Sequence, residues 1–124
     1  MQTTLNFDGE QAPLSPIAVP FDMGRWTNAK QWFEGYRMLC MARRHTLYDT
    51  HKQRRDAFDE AIRRHVRALA SPGAQRLLRR DTDRTAIARI RRLLDHTRLI
   101  QNLLPLDDRM PIILFLHARE GALS

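Results

Sequence analysis

The stretch Asp83 to Arg109, DRTAIARIRRLLDHTRLIQNLLPLDDR, constrains the fold of this chain more than any other segment. Ile87, Ile90 and Leu94 recur at i, i+3 and i+7, and Ala86 and Leu93 widen the stripe, which is the period of one buried helix face. Arg84, Arg91 and Arg98 stand seven residues apart, with Arg89 and Arg92 near them, so the same helix carries a second, guanidinium-rich row. The spacing predicts a helix over 84–98. It runs into Leu99-Ile100, a Pro/Asp-rich turn and a second apolar run, Ile112 to Leu116. Periodicity over five apolar residues does not separate a buried strand from a buried helix. Two architectures therefore stand open: a hairpin within 99–116, or helices throughout.

Upstream, the signals are helical. Asn28 with Gln31 three residues on resembles a capping box, so a helix is expected to start at Thr27 or Asn28. Trp32, Phe33, Tyr36, Leu39 and Cys40 fall on its apolar face. Thr46 followed by Asp49 is a second possible start, placing a break near His45. Phe58, Ile62, Val66 and Leu69 mark the core face of another helix. Ser71-Pro72 reads as an N-cap followed by proline at the first helical position, opening a short helix that ends at Arg80 and buries Leu77 and Leu78. Asp81-Thr82-Asp83 then supplies a three-residue turn and the cap of the next helix.

At 124 residues the chain is long enough for one modest core and too short for two. Residues 1–24 contain no Lys or Arg, carry Asp8, Glu10 and Asp22, and hold Pro13, Pro16 and Pro20. They read as an acidic N-terminal arm, in which Ile17, Val19 and Phe21 alternate as a docking strand would; residues 25–124 form the single domain. Net charge is +7. From Arg37 to Arg98 there are 17 basic residues against 7 acidic, a surplus that attracts polyanions. Arg outnumbers Lys nineteen to two, which base composition of a genome can produce, but the surplus over acids has no such origin.

The residues from Arg84 onward resemble the winged helix-turn-helix of MarR-type transcriptional regulators. Ala86-Ile87 and Arg89 stand at the recognition helix, Leu99-Ile100 at the first wing strand, Asp107-Asp108-Arg109 at the wing tip and Ile112 to Leu116 at the second strand. The likeness covers about 40 of the 124 residues. Arg98, Met110 and His117 depart from the family's usual glycine, basic residue and threonine, and the wing, Leu103 to Leu106, is apolar. The resemblance implies a mainly α domain with a short β-hairpin wing, binding double-stranded DNA, commonly as a homodimer. Arg84, Arg89 and Arg91 would meet base edges or phosphates, Arg92 and Arg98 phosphates, and Arg109 would be the wing's contribution. Trp32, Phe33 and Tyr36 are expected at a dimer or partner interface, because a small core has little room for them.

A second resemblance competes. Arg67 to Ala70, Ser71, Gly73, Asp83 to Ala86 and Arg91 to Leu94 are similar to the helical small subunit of CRISPR Cascade complexes. It implies an all-α bundle that holds nucleic-acid backbones or an acidic protein partner without reading sequence. In that reading Asp107 or Asp108 caps a final helix with Pro111 in its first turn.

Other classes find little support. The histidines, among them His65 and His96, show no metal-ligand spacing and are expected at the surface or boundary; the glycines form no phosphate loop. No catalytic residue, cofactor or metal is expected. Asp59 and Glu60 sit at helical spacing from Arg63 and Arg64, so ion pairing is their expected role. The single Cys40 cannot form an internal disulfide and reads as a buried small hydrophobe. A cytoplasmic location is expected, since no apolar run approaches the ~20 residues that span a bilayer and no secretory signal is visible.

Overall fold

The computed structural model describes residues 25–46 and 52–124. The expected acidic arm, 1–24, and the Asp49 start signal lie outside the described residues. Those described form α1 (Ala29–His45), α2 (Lys52–Arg67) continuing into a 3-10 turn (Ala68–Ala70), α3 (Pro72–Arg80), α4 (Arg84–His96), α5 (Arg98–Leu103) and α6 (Leu106–Ala122). Among the described residues there is no strand. The domain is mainly α.

Local chemistry starts these helices where three-residue spacing places it. Asn28 accepts from the Gln31 amide at 2.8 Å, and the Gln31 side chain returns to Thr27, accepting from its N–H at 2.7 Å and its hydroxyl at 2.8 Å. Ser71 accepts from the Ala74 amide with Pro72 at the first helical position. Asp83 caps α4 by accepting from Ala86 at 3.0 Å. The neighbouring Asp81 accepts from the Ala29 amide at 2.6 Å, seating the first turn of α1 beside that of α4.

The hairpin expected between Leu99 and Leu116 is not formed. Its first half is α5 and its second half belongs to α6. The structure buries Ile112, Ile113 and Leu116 and leaves Leu114 exposed, a helical pattern; a strand would have put 112, 114 and 116 on one side. The wing-tip acids, Asp107 and Asp108, occupy the first turn of α6, where the helix dipole favours them. Pro105 precedes that turn, and Pro111 sits a turn later. α4 also stops at His96, two residues short of the expected end, because Thr97 takes an extended conformation before α5 restarts.

α4 is the centre of the bundle, packed chiefly on α6 and α1, while α1 packs on α2. The start of α4 lies at the end of α6, through Arg84 and Glu120, and its end lies at the start of α6, through Arg109 and Leu94, so the two run antiparallel. Ile87, Ile90, Leu94, Ile100, Leu104, Ile112 and Leu116 form their shared core. α3 packs on the 3-10 turn and only marginally on α4. That differs from a helix-turn-helix, whose two helices pack on one another across the turn.

The aromatic face of α1 turns inward. Trp32 is fully buried and Tyr36 nearly so, which removes them as the expected interface; Phe33 is half-buried, its ring covered by Arg89. Trp32 stacks on His65 of α2 with ring centroids 4.6 Å apart and on Tyr36 at 5.8 Å. The Trp32 indole N–H donates to the His65 carbonyl and His65 Nε2–H donates to the Trp32 carbonyl, both at 2.9 Å. His65, expected near the surface, is a core residue joining α1 to α2. Burial pushes its pKa below the ordinary histidine value, so it stays neutral in the fold. Among the described residues the large apolar side chains left exposed are the α6 row Leu106, Met110 and Leu114, and Met38 and Met41 of α1.

Candidate nucleic-acid interface

The arginines divide into two populations. The first holds the bundle together. Arg109 Nε donates to the Leu104 carbonyl at 3.1 Å and its Nη1 to Leu94 at 3.0 Å, closing the ends of α5 and α4. Arg119 does the same for α3, donating to Leu78 at 3.2 Å and Asp81 at 3.0 Å. Arg63 donates to Leu103 at 2.9 Å and pairs with Glu60, and Arg43 pairs with Asp59. The carbonyls among these acceptors lie at or just beyond helix ends, where the last turn leaves carbonyls short of intrahelical donors.

Arg91 belongs to this population. Its Nε donates to Glu120 at 2.6 Å and its Nη1 to Asp95 at 3.0 Å, with 20% of the side chain exposed against 12% for Glu120. Hydrogen bonding to Arg91 holds the Glu120 carboxyl below its ordinary range, and the same bond raises Arg91. Arg84 reaches Glu120 as well, through its carbonyl at 3.2 Å and a carboxylate oxygen at 3.7 Å. The seven-residue row Arg84, Arg91 thus lies along the α6 seam, with Arg84 half-exposed at its edge.

The outward line of α4 is instead Thr85, Arg89, Arg92 and His96, all exposed at i, i+4, i+7 and i+11. Arg89 lies over the Phe33 ring, 5.7 Å from its centroid. Lys30 of α1 is exposed beside it, across a cleft of about 230 Å³ that Phe33, Glu34, Asp83 and Ala86 help to line. Arg98 is exposed at the start of α5. Of the six expected contact residues, then, Arg89, Arg92 and Arg98 are outward, Arg84 is partly committed, and Arg91 and Arg109 are turned to internal partners.

The acids account for the asymmetry. Among the described residues, Glu34, Asp56, Asp59, Glu60, Asp95, Asp108 and Glu120 each meet an Arg or Lys, Asp81 and Asp83 accept from backbone amides, and Asp107 stays exposed in the first turn of α6. Lys30, Arg44, Arg76, Arg80, Arg92 and Arg98 meet no carboxylate there, and Arg79 and Arg89 meet aromatic rings. The inward arginines leave a signal in the sequence that only the helical period reveals: Arg109, Ile112, Leu116 and Arg119 fall on one stripe of α6.

Burial pushes the Tyr36 phenol and the Cys40 thiol up, and a hydrogen bond between them raises Tyr36 further, so neither ionises near neutral pH. Among the described residues no group of three metal-ligating side chains converges, and no helix is long and apolar enough to cross a membrane. No protein-family model, curated protein or solved structure matches this chain.

Proposed function

We propose that this chain is a non-catalytic nucleic-acid-binding bundle that grips phosphate backbone with Arg89 and Arg92 of α4, together with Lys30 and Arg98. The observation that carries the reading is the surplus of outward cations: most described carboxylates meet an Arg, a Lys or a backbone amide, whereas the exposed Lys30, Arg92 and Arg98 meet none and stand open to an external anion. Small exposed guanidinium rows suit phosphates better than a neutral ligand, because bidentate donors match phosphate geometry. A cytoplasmic setting goes with this role.

The test is binding of duplex and single-stranded oligonucleotides at several salt concentrations. Log K is expected to fall with log salt at a slope of about −0.9 per neutralised phosphate on duplex and about −0.7 on single strands. Arg89→Ala and Arg92→Ala are each expected to lessen that slope by about one contact. Binding indifferent to salt and to both substitutions would remove the reading.

A narrower version, a sequence-specific transcriptional regulator on double-stranded DNA, is favoured by one observation. Thr85, Arg89, Arg92 and His96 project along one exposed line of α4, as a helix lying in a groove would need, although α3 does not pack on α4 as in a helix-turn-helix. In that version Arg89→Ala costs about 1–3 kcal/mol on the preferred sequence and little on a scrambled one. A two-fold partner would meet the chain through the exposed row Leu106, Met110 and Leu114.

A further inference from the structure

The start of α1 contributes to two basic clefts. Lys30 lines the one beside α4, and Trp26, four residues earlier, lines a shallow groove of about 470 Å³ beside α3. Arg76 and Arg80, one helical turn apart on α3, stand on that groove, and both are exposed. Leu77 and Trp26 are half-buried there, and the other apolar residues along it, Ala68, Gly73 and Ala74, are small, which leaves room for a flat ring beside the indole. A Cβ at Gly73 would come to 3.7 Å from Arg76 Nη2, so that guanidinium reaches back along the groove. Among the described residues Arg76 and Arg80 meet no carboxylate or ring, and no ring or cation lies on Trp26.

An open indole beside two unneutralised guanidinium groups asks for a ligand that is both planar and anionic. A nucleotide supplies the ring and the phosphate together; an acidic peptide answers the charge alone. We infer that this groove stacks a base of single-stranded nucleic acid on Trp26 while Arg76 and Arg80 hold the adjoining phosphates. The inference rests on the phosphate grip proposed for α4 and names its ligand as a single strand, because a duplex keeps its bases stacked on one another and out of reach of a groove-lining indole. The two clefts are close enough to share one strand. Trp26 and Lys30 are separated by at most about 13 Å of chain at about 3.3 Å per residue, and the Asp81 carboxylate at the end of α3 accepts from the Ala29 amide, which fixes the start of α1 against both. A strand of several nucleotides thus passes from Arg76 and Arg80 to Lys30 and Arg89.

The test compares three probes of equal length on the full chain: an oligothymidylate, an abasic oligonucleotide with the same phosphates, and a duplex. The oligothymidylate is expected to bind most tightly and to quench tryptophan fluorescence, while the abasic strand binds without quenching. Trp26→Ala should weaken oligothymidylate binding about 5- to 150-fold, the equivalent of one stacked base, and leave abasic affinity unchanged. Trp26→Phe keeps a stacking ring in the same packing; it should retain most of the affinity and abolish the quenching, since Trp32 is fully buried. Arg76→Gln with Arg80→Gln, both at exposed positions, should lessen the single-strand salt slope by about 1.4, or two phosphates. Equal affinity for the oligothymidylate and the abasic strand, quenching that survives Trp26→Phe, or an unchanged slope overturns the inference. If Arg89→Ala and Arg92→Ala still weaken binding in that event, the α4 grip stands without the groove; if none of the probes binds, both fall. Quenching by polyglutamate equal to that by the oligothymidylate would assign the groove to an acidic protein instead.

Discussion

Truncating Leu116 and Leu114 to alanine, one at a time, tests the helix that replaces the expected hairpin. Leu116 is fully buried, whereas Leu114 is 61% exposed. Leu116→Ala removes a core side chain and leaves a cavity in the core that α6 shares with α4, at a cost of about 2–5 kcal/mol. Full burial of a leucine is worth about 1.5–3 kcal/mol, so the covered share of Leu114 amounts to about 1 kcal/mol at most. The higher helix propensity of alanine offsets part of that. Urea unfolding followed by far-UV circular dichroism reads the difference. With m of about 1–3 kcal/mol/M, a 3 kcal/mol loss lowers the midpoint by about 1–3 M, and Leu114→Ala moves it by no more than about a third of that. In a hairpin, positions 114 and 116 would share a face. Equal costs at the two positions, or a neutral Ile113→Ala, would refute the helical packing.

Two further expectations follow from the same contacts. His65 is held neutral in the fold by burial, while the unfolded chain protonates it below its ordinary value of about 6.5; stability should therefore fall as pH drops from about 6.5 toward 5, approaching about 1.4 kcal/mol per pH unit. The depressed Glu60 and Glu120 lose their contribution only below about 4.5, so His65→Gln should flatten the upper window alone, and a wild-type curve already flat from pH 7 to 5 would contradict the buried-neutral assignment. Arg91→Met should destabilise by about 1–3 kcal/mol through the stranded Glu120 while leaving oligonucleotide affinity unchanged. Arg92→Met should do the reverse, shifting stability by less than about 0.5 kcal/mol and weakening binding; the opposite assignment of effects would mean that the inward and outward rows of α4 have been confused.

The starts of α1, α3 and α4 were legible because each is fixed by groups three residues apart: Asn28 with Gln31, Ser71 with Ala74, Asp83 with Ala86. The apolar stripe of α4 was legible for the same reason of period. The candidate interface was legible only in part. Arg89, Arg92 and Arg98 are outward as expected, but nothing local distinguishes them from Arg91 or Arg109. What separates them is a partner 29 residues away for Arg91, at Glu120, and 15 away for Arg109, at Leu94. His65 likewise acquires its role from Trp32, 33 residues distant.

By itself the sequence determined the mainly helical character of the described residues up to His96, the starts of α1, α3 and α4 and the surplus of positive charge, since propensity, capping and net charge are properties of near neighbours and of sums. Tertiary structure decided whether the segment beyond Leu99 was hairpin or helix, which face of α4 was outward, and which arginines remained for a partner. Those outcomes depend on where α6 lies. Once Ile112, Ile113 and Leu116 pack on α4, the inward arginines find carbonyls and carboxylates at the helix ends, and burying an unpaired charge costs too much for any other arrangement.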